Sequence, residues 1–364
     1  MSAVITPHPE LRSLLPTTHP LQMLKPDGEV TPGVELPSGD VLVDIYRRMV
    51  IGRRFDSQAT ALTKQGRLAV YPSSHGQEAC QVGAVSALQA QDWLFPTYRD
   101  SVAIVSRGVD PVETLSLLRG DWHLGYDPHA HHVGPQCTPL ATNALHAVGV
   151  AHAARLKGDD TVALVLLGDG ATSEGDTHEA LNFAAVWRAP VVFLVQNNGY
   201  AISVPLAKQS AAPSLAHKGI GYGVPSMLID GNDPAMVFSA VRDAVAAARS
   251  GAGPALIEAL TYRIEAHTNA DDAGRYRSQD EVLQWLARDP IDRLERHLTS
   301  HGLLDAPRRQ QVADEAEAFA AAVRDRMNED PKLDPAALFE HVYATPTRAL
   351  RVQSAALAEE LAAP

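Results

Sequence analysis

Thr161-Val-Ala-Leu-Val-Leu-Leu-Gly-Asp-Gly-Ala171 joins a short apolar run to a glycine-flanked aspartate, and a second apolar run, Val191-Val-Phe-Leu-Val195, lies just before Asn197-Asn198. Both runs are short and rich in β-branched residues, which predicts strands buried on both faces. Between them, apolar residues recur at helical spacing and predict one apolar stripe, at Ala180, Leu181, Phe183, Ala184 and Trp187. The segment therefore predicts a strand-helix-strand unit.

Polar side chains follow both predicted strands, at the edge where such sheets bind ligands. Asp169 can supply a carboxylate and Asn198 a side-chain carbonyl oxygen. Mg²⁺ takes such ligands together with phosphate oxygens. Gly168 and Gly170 let the backbone turn close to a phosphate, whose charge is favoured by amides at the start of the next helix. These residue types therefore favour a site for magnesium and a diphosphate.

The two elements, separated by residues 171–196, resemble the fingerprint of thiamine diphosphate enzymes. A nicotinamide-binding loop is an alternative, because Gly168-x-Gly170 also follows a strand. However, Ser173 occupies the position of the third glycine, and no acidic residue ends the second strand. A tight turn before a capped helix would explain the glycines alone. Motif and context together favour the thiamine diphosphate interpretation.

Composition excludes several classes of protein. The chain has 364 residues, a net charge of −12 and no concentrated basic stripe, which argues against binding of nucleic acid. No apolar stretch approaches the length of a membrane span. Cys80 and Cys137 are too few for a disulfide framework and lack metal-ligand spacing. We therefore expect a soluble protein of the cytoplasm.

The domain organisation is predicted from proline content and apolar periodicity. Residues 1–39 contain seven spaced prolines and predict an extended arm, which either wraps a partner subunit or is a loose terminus. They lack the features of a targeting sequence. Residues 40–345 are predicted as the thiamine diphosphate-binding domain, and 346–364 as a helical tail that is exposed or faces a partner. The prolines are Pro7, Pro9, Pro16, Pro20, Pro26, Pro32 and Pro37.

The remaining elements predict an α/β fold with a mainly parallel central sheet flanked by helices. Helices are expected from Asp40 to near Gly66 and after Ser73-Ser74, and the chain is mostly helical beyond Asp280. Residues 223–230 and 254–263 are expected as strands. Asp233-Pro234 predicts a capped helix start, and Gly251 predicts where that helix stops.

From about residue 40 to 350, the order of motifs resembles the α subunits of heterotetrameric 2-oxoacid dehydrogenase E1 components. The resemblance is found in three segments, residues 168–176, 180–185 and 197–203. They are more similar to the branched-chain form than to the animal pyruvate form, although bacterial pyruvate enzymes share much of the pattern. The resemblance implies the thiamine diphosphate-binding fold.

The resemblance also implies the activity and the partners. The activity is oxidative decarboxylation of 2-oxoacids of the 3-methyl-2-oxobutanoate type, with transfer of the acyl group to the lipoyl group of E2. The partner is an E1 β subunit in an α2β2 heterotetramer. That subunit supplies the glutamate that activates the aminopyrimidine, so this chain holds only the diphosphate half of the site. A pyruvate dehydrogenase E1 α subunit, an acetoin dehydrogenase α subunit and a non-catalytic scaffold are the alternatives.

The family pattern implies roles for individual residues around the metal and the diphosphate. Asp169, Asn198 and the backbone carbonyl of Tyr200 would hold Mg²⁺, and the Gly168-Asp169-Gly170-Ala171 turn would place amides against the diphosphate. The pair Tyr98-Arg99 would lie near the same phosphates, which suits the planar fork of arginine. All of these residues are therefore expected to bind the cofactor.

The segment Cys137-Thr-Pro-Leu-Ala-Thr142 resembles the family stretch that lines the cofactor. In that alignment Thr138 keeps a hydroxyl, and Leu140 packs against the cofactor. Cys137 replaces a serine, which puts in doubt any cation site built there. Gln196 replaces an arginine that contacts phosphate in the animal branched-chain enzymes.

The polar segment 262–277 follows a predicted strand and resembles the active-site loop of the family. The resemblance implies that His267 faces the cofactor and the 2-oxoacid as the catalytic residue. A charge change near pH 7 would suit proton transfer. Thr268 and Ser278 match positions that are phosphorylated in animals, but nothing in the sequence shows a kinase.

A cluster of histidines occurs in Asp127-Pro-His-Ala-His-His132. His129, His131 and His132 could indicate a structural zinc site, but no fourth ligand lies at a recognised spacing. As in relatives, one of them could instead line the diphosphate pocket.

Overall fold

A central sheet of five strands organises the fold, as described by a computed structural model for residues 14–120, 124–329, 334–340 and 342–363. The strand order is β1-β2-β3-β7-β6, and all neighbouring strands in this sheet run parallel. A short hairpin, β4-β5, follows β3. The strands are β1 Trp93–Phe95, β2 Ala163–Gly168, β3 Val191–Asn197, β4 Tyr200–Ala201, β5 Val204–Pro205, β6 Ser226–Asp230 and β7 Ala255–Leu260.

Helices connect and flank the strands, as is required when parallel strands are joined by crossovers. The α-helices are α1 Gly39–Lys64, α2 Glu78–Ser86, α3 Ser101–Ser106, α4 Pro111–Arg119, α5 Pro128–His131, α6 Thr142–Lys157, α7 Gly175–Trp187, α8 Pro234–Arg249, α9 Gln279–Leu286, α10 Pro290–Ser300, α11 Ala306–Met327, α12 Ala337–Glu340 and α13 Arg348–Ala362. The predicted α/β fold with a parallel sheet flanked by helices is confirmed. No helix in the described ranges combines the length and apolar character of a membrane span.

Both faces of the sheet are buried, which explains the continuous apolar runs of its strands. Because successive side chains point to opposite faces, Val165 packs into one core with α6 and α7, while Leu164 and Leu166 pack into the other with α8. Asp233 caps α8 by accepting hydrogen bonds from the amides of Ala235 and Met236, with proline at the first helical position. The predicted start of this helix is therefore confirmed.

The predicted apolar stripe of α7 is wrong at one position. Ala180, Leu181 and Ala184 are buried against the sheet, but Phe183 is 41% exposed. At about 100° per residue, Phe183 lies on the flank of the stripe, where its ring contacts Trp187 at 4.7 Å between centroids. The strands also begin and end up to three residues from their predicted limits. For example, the residues before Ser226 form an irregular connection after Gly223, where φ is +70°.

The described part of the predicted arm binds its own sheet. The amide of Leu21 donates to the carbonyl of Leu228, and the carbonyl of Leu21 accepts from the amide of Asp230, both at 2.9 Å. The Asp233 carboxylate accepts from the amides of Met23 and Leu24 at 2.6 and 2.7 Å. Residues 21–24 are thus held along β6 and the start of α8, whereas residues 1–13, with Pro7 and Pro9, lie outside the described residues.

The described residues divide into two compact units, one ending at Arg326 and one beginning at Met327. In the second unit, α13 begins after Thr347, whose hydroxyl caps the helix by accepting from the amide of Leu350. The predicted helical tail is therefore observed as a helix. The limits 1–39, 40–345 and 346–364 stay predictions.

Candidate active site

A cavity of about 200 Å³ lies at the carboxyl ends of four neighbouring strands. Residues 97–99 follow β1, 169–171 follow β2, 198–200 follow β3, and Arg263 and His267 follow β7. This is the edge where open parallel sheets bind ligands. The cavity is lined by Gln77, Thr97, Tyr98, Arg99, Leu140, Gly168, Asp169, Gly170, Ala171, Glu174, Gln196, Asn198, Tyr200, Ala201, Ile202, Arg263 and His267.

The structure brings almost all the predicted site residues into this lining. Thr138 is the exception, because its side chain is exposed and lies outside the lining, while Leu140 from the same loop is part of it. Cys137 is half-buried, and its thiol donates to the carbonyl of Pro139 at 2.9 Å. This loop therefore presents an apolar side chain to the cavity.

Asp169 is a buried carboxylate in a position suited to a cation. It is only 1% exposed, and burial raises its pKa above the ordinary value. Its Oδ2 atom accepts a hydrogen bond of 2.6 Å from the neutral amide of Gln209. A bound cation would stabilise the ionised form, because burial disfavours an uncompensated charge.

Asn198 presents an amide oxygen beside this carboxylate. Its Nδ2 atom donates to Oε1 of Gln77 at 3.0 Å, and its Oδ1 atom accepts from the amide of Tyr200 at 3.3 Å. The side chain of the preceding residue, Asn197, instead donates to the buried carboxylate of Glu258 at 2.7 Å. Of the two asparagines, Asn198 therefore belongs to the cavity and Asn197 to the sheet.

Gly170 is required by a close approach of two loops. A Cβ atom at this position would lie 2.8 Å from the Cβ atom of Ala201, which follows the proposed metal ligand Tyr200. A contact this short forces the two loops apart, because a rigid methyl group cannot move aside alone.

We expect Gly170→Ala to lower the free energy of unfolding by about 1–3 kcal/mol through overpacking, and to weaken cofactor binding. The matched control is Gly175→Ala at the start of α7, where an added Cβ would meet nothing within 4 Å. Urea denaturation of both variants measures the effect. Equal stability of the two variants would contradict this account.

Two arginines converge on the imidazole of His267. Nη2 of Arg99 lies 3.0 Å from Nδ1 of His267 and also donates to the backbone carbonyl of His267 at 3.1 Å. Nη1 of Arg263 lies 3.4 Å from the same Nδ1 atom. Because guanidinium groups only donate hydrogen bonds, Nδ1 must accept. We therefore assign the ring proton to Nε2.

The charge state of His267 differs from the expectation. Burial and the charges of Arg99 and Arg263 lower its pKa to about 4, so the expected titration near pH 7 is wrong for the protein without ligands. The reason lies in the fold, since two cations and a desolvated site all disfavour a charged imidazole. The same two guanidinium groups would attract an anion.

Arg263 is a site residue that the sequence interpretation missed. It is 1% exposed and donates from Nη2 to the carbonyl of Ile202 at 2.8 Å and to the hydroxyl of Tyr276 at 2.9 Å. Ile202 has φ of +56°, which is strained for a β-branched residue. Arg263 thus holds a strained turn at the cavity. Its signal in the sequence was its position as the last residue of the predicted strand 254–263.

Four further polar side chains surround the cavity or the carboxylate of Asp169. They are Gln77, Glu174, Gln196 and Gln209. Gln196 occupies the position of the animal arginine, and its amide is hydrogen-bonded to Asp100 and Gln77. None of the other three had a distinguishing signal in the sequence, because glutamine and glutamate are common on surfaces and in turns.

The predicted histidine cluster lies elsewhere. The rings of His129 and His132 contact Trp93 at 5.6 and 5.4 Å between centroids, and His131 contacts Tyr126 at 6.4 Å. The lining of the cavity does not include them. In the part of the chain that the structure describes, no three histidine, cysteine or acidic side chains are grouped to hold a metal ion.

The two positions that match animal phosphorylation sites have structural contacts. Thr268 accepts at Oγ1 from the amide of Ala270 at 3.4 Å, and Ser278 caps α9 by accepting from the amide of Glu281 at 3.2 Å.

Comparison with known proteins identifies the family of the chain. Residues 46–336 match the family model described as "Dehydrogenase E1 component". The chain is 45% identical over 349 residues to the 3-methyl-2-oxobutanoate dehydrogenase subunit alpha of Mycobacterium tuberculosis, covering 94% of each chain. It is 37% identical over 328 residues to the pyruvate dehydrogenase E1 component subunit alpha of Staphylococcus aureus, covering 89% of this chain and 88% of the relative. The chain therefore belongs to the dehydrogenase E1 component family, among the α subunits of 2-oxoacid dehydrogenases.

Proposed function

We propose that this chain is the α subunit of a branched-chain 2-oxoacid dehydrogenase E1 component and holds the metal and diphosphate half of a thiamine diphosphate site. The observation that supports the proposal is the convergence of Asp169, Asn198, Arg99 and His267 in one cavity at the ends of neighbouring strands. A scaffold that only docks partners would have no use for this combination of residues.

The residues of the cavity fit magnesium and a diphosphate. Mg²⁺ prefers oxygen ligands, and the proposed ligands are the Asp169 carboxylate, the Asn198 amide oxygen and the backbone carbonyl of Tyr200. Gly170 has no side chain to obstruct the turn, and Arg99 supplies a permanent positive charge on the same cavity. When bound, thiamine diphosphate would supply the electron-accepting chemistry that decarboxylation requires.

His267 and Arg263 are proposed to act on the 2-oxoacid side of the site. Because Nδ1 of His267 accepts from Arg99, its Nε2–H group can donate a hydrogen bond to a ligand oxygen in the cavity. The positive charge of Arg263 favours the substrate carboxylate. Through Ile202 and Tyr276, the same arginine also holds two loops that surround the site.

The site is proposed to be completed by a second chain. Relatives of this chain are named as α subunits, which supports a β partner and an α2β2 heterotetramer. The proposed β subunit supplies the carboxylate that activates the aminopyrimidine, and the acyl group passes to the lipoyl group of E2. A cytoplasmic location stays a prediction from the sequence.

The proposed substrate is a branched-chain 2-oxoacid. The relative at 45% identity is named for 3-methyl-2-oxobutanoate and the one at 37% for pyruvate, which favours a branched-chain substrate. Leu140 and Ile202 contribute apolar surface to the cavity. Acetoin dehydrogenase remains the alternative with the same fingerprint.

We expect the chain assembled with its β subunit to prefer 3-methyl-2-oxobutanoate and 4-methyl-2-oxopentanoate over pyruvate. One methylene in such a pocket changes kcat/KM by about 10- to 200-fold, and the branched substrates differ from pyruvate by more than one. Decarboxylation assays with all three acids measure the preference. Acetoin, which has no carboxylate to lose, is tested as the control substrate through reduction of an artificial electron acceptor. An equal or higher kcat/KM for pyruvate would exclude the branched-chain assignment.

A further inference from the structure

We propose that a row of three buried amides, ending at Asp100, fixes which atom of Asn198 is presented to the metal; this inference rests on the proposed function. Nε2 of Gln196 donates to Oδ1 of Asp100 at 2.7 Å, and Nε2 of Gln77 donates to Oε1 of Gln196 at 3.1 Å. Nδ2 of Asn198 then donates to Oε1 of Gln77 at 3.0 Å. We call these three amides the amide row.

The direction of the amide row is set at Asp100. Oδ2 of Asp100 accepts from both the amide and the hydroxyl of Thr97, at 2.7 and 2.6 Å. Since an ionised carboxylate only accepts hydrogen bonds, Gln196 must direct its NH₂ group toward Oδ1. Each amide has one oxygen and one NH₂ group, so the orientation of Gln196 dictates that of Gln77, which dictates that of Asn198.

This orientation leaves the oxygen of Asn198 available to the metal. The NH₂ group of Asn198 is engaged by Gln77, so Oδ1 lies on the side where the amide of Tyr200 donates to it. A reversed Asn198 would present an NH₂ group, which is not among the oxygen ligands that Mg²⁺ takes. Asp100 and Gln196 are therefore positioning residues that act through Gln77 on a proposed metal ligand.

Burial makes the orientation costly to reverse. Asp100 is 0% exposed, Gln77 and Gln196 are each 2% exposed, and Asn198 is 6% exposed. Water has little access to repair a mismatch between two donors or two acceptors, and a buried polar atom without a partner is destabilising. A single reversed amide would create such a mismatch, so the row must reverse as a unit.

The test is Asp100→Asn, which replaces one acceptor atom with a donor. If the new NH₂ group faced Thr97, it would meet the backbone amide of Thr97, which can only donate. If it faced Gln196, the row would have to reverse, which would turn the NH₂ group of Asn198 toward both the metal and the amide of Tyr200, a group that can only donate. We expect the Mg²⁺ concentration needed for half-maximal binding of thiamine diphosphate to rise about 10- to 100-fold, as for outer-shell partners of other metal sites.

The decisive comparison repeats this substitution in an Asn198→Asp background. An aspartate at position 198 presents oxygen to the metal in either orientation. However, the row then has a carboxylate at each end, so at one junction two oxygen atoms face each other without a hydrogen atom between them. Asp100→Asn removes that conflict. In this background we therefore expect Asp100→Asn to leave the Mg²⁺ requirement unchanged or lower it, whereas a general structural role of Asp100 would raise it in both backgrounds.

The measurement is isothermal titration of the full-length chain, assembled with its β subunit, with thiamine diphosphate at a series of Mg²⁺ concentrations. If Asp100→Asn fails to fold, Gln77→Met interrupts the row at similar volume and is expected to raise the Mg²⁺ requirement only where residue 198 is asparagine. No effect in the native background, or equal effects in both, would overturn the inference.

The outcomes also separate this inference from the proposed function. If the native chain binds thiamine diphosphate without any dependence on Mg²⁺, the proposed function itself fails. If native binding depends on Mg²⁺ and Asp169→Ala abolishes it, while Asp100→Asn acts equally in both backgrounds, only the amide row is wrong.

Discussion

Asp169→Ala is expected to abolish Mg²⁺-dependent binding of thiamine diphosphate while leaving the fold intact. The substitution removes the proposed carboxylate ligand from a buried position that is 1% exposed. The fold should survive because burial already disfavours the ionised carboxylate, as its raised pKa indicates. Isothermal titration with thiamine diphosphate and Mg²⁺ measures the affinity. We expect the affinity to fall by more than about 100-fold, which is the upper limit of the loss when a residue that only supports a metal ligand is changed.

The control for this variant is Asp159→Ala, which removes an exposed carboxylate after α6, outside the cavity lining. Circular dichroism of both variants checks the fold. If Asp169→Ala bound the cofactor with native affinity and an unchanged Mg²⁺ requirement, our placement of the metal would be wrong.

His267→Ala is expected to lower kcat of the assembled enzyme by about 10²- to 10³-fold, the usual contribution of one oriented hydrogen-bond donor where charge develops. Arg99 holds the imidazole through Nδ1 at 3.0 Å, so the variant loses an oriented Nε2–H donor. Binding of thiamine diphosphate should change little, because the proposed metal ligands and Arg99 remain. Steady-state assays measure kcat, and titration calorimetry measures the affinity. His129→Ala, whose ring packs on Trp93 outside the cavity, is the control.

The pH behaviour of His267 provides a second check on the same residue. In the protein without ligands the imidazole should titrate at about 4 in NMR spectra, because burial, Arg99 and Arg263 all disfavour its charged form. Inorganic pyrophosphate should raise this pKa, since its negative charge offsets the two arginines. The unfolded chain protonates this histidine near its ordinary pKa of 6.5. His267 therefore destabilises the fold as the pH falls from 6.5 toward 4. A native pKa of 6.5 that is unaffected by pyrophosphate would contradict this electrostatic account.

The unit β2-α7-β3 could be predicted because its signals are local. The apolar runs, the helical spacing and the glycines around Asp169 all lie within one short segment, and a parallel sheet places the carboxyl ends of adjacent strands together. The exposed Phe183 was not predicted, because apolar spacing does not reveal where the buried stripe ends.

The parts of the site that were missed depend on contacts between distant segments. Gln77 precedes α2 and reaches Gln196 within β3 and Asn198 just after β3, and no local pattern marks such contacts. The lowered pKa of His267 arises from its burial, from Arg99 beyond the end of another strand and from nearby Arg263. Motif comparison identified His267 as a site residue but could not give its charge state, because that depends on its neighbours in three dimensions.

The central claim is that this chain holds only one half of a shared catalytic site. The most direct measurement compares decarboxylation of 3-methyl-2-oxobutanoate by this chain, by its β subunit and by the two together, each with Mg²⁺ and thiamine diphosphate. We predict negligible turnover by either chain alone and full activity on mixing, because the proposed metal and diphosphate ligands belong to this chain and the proposed carboxylate that activates the cofactor belongs to the β subunit. Turnover by the isolated chain at a rate comparable to that of the mixture would contradict the claim.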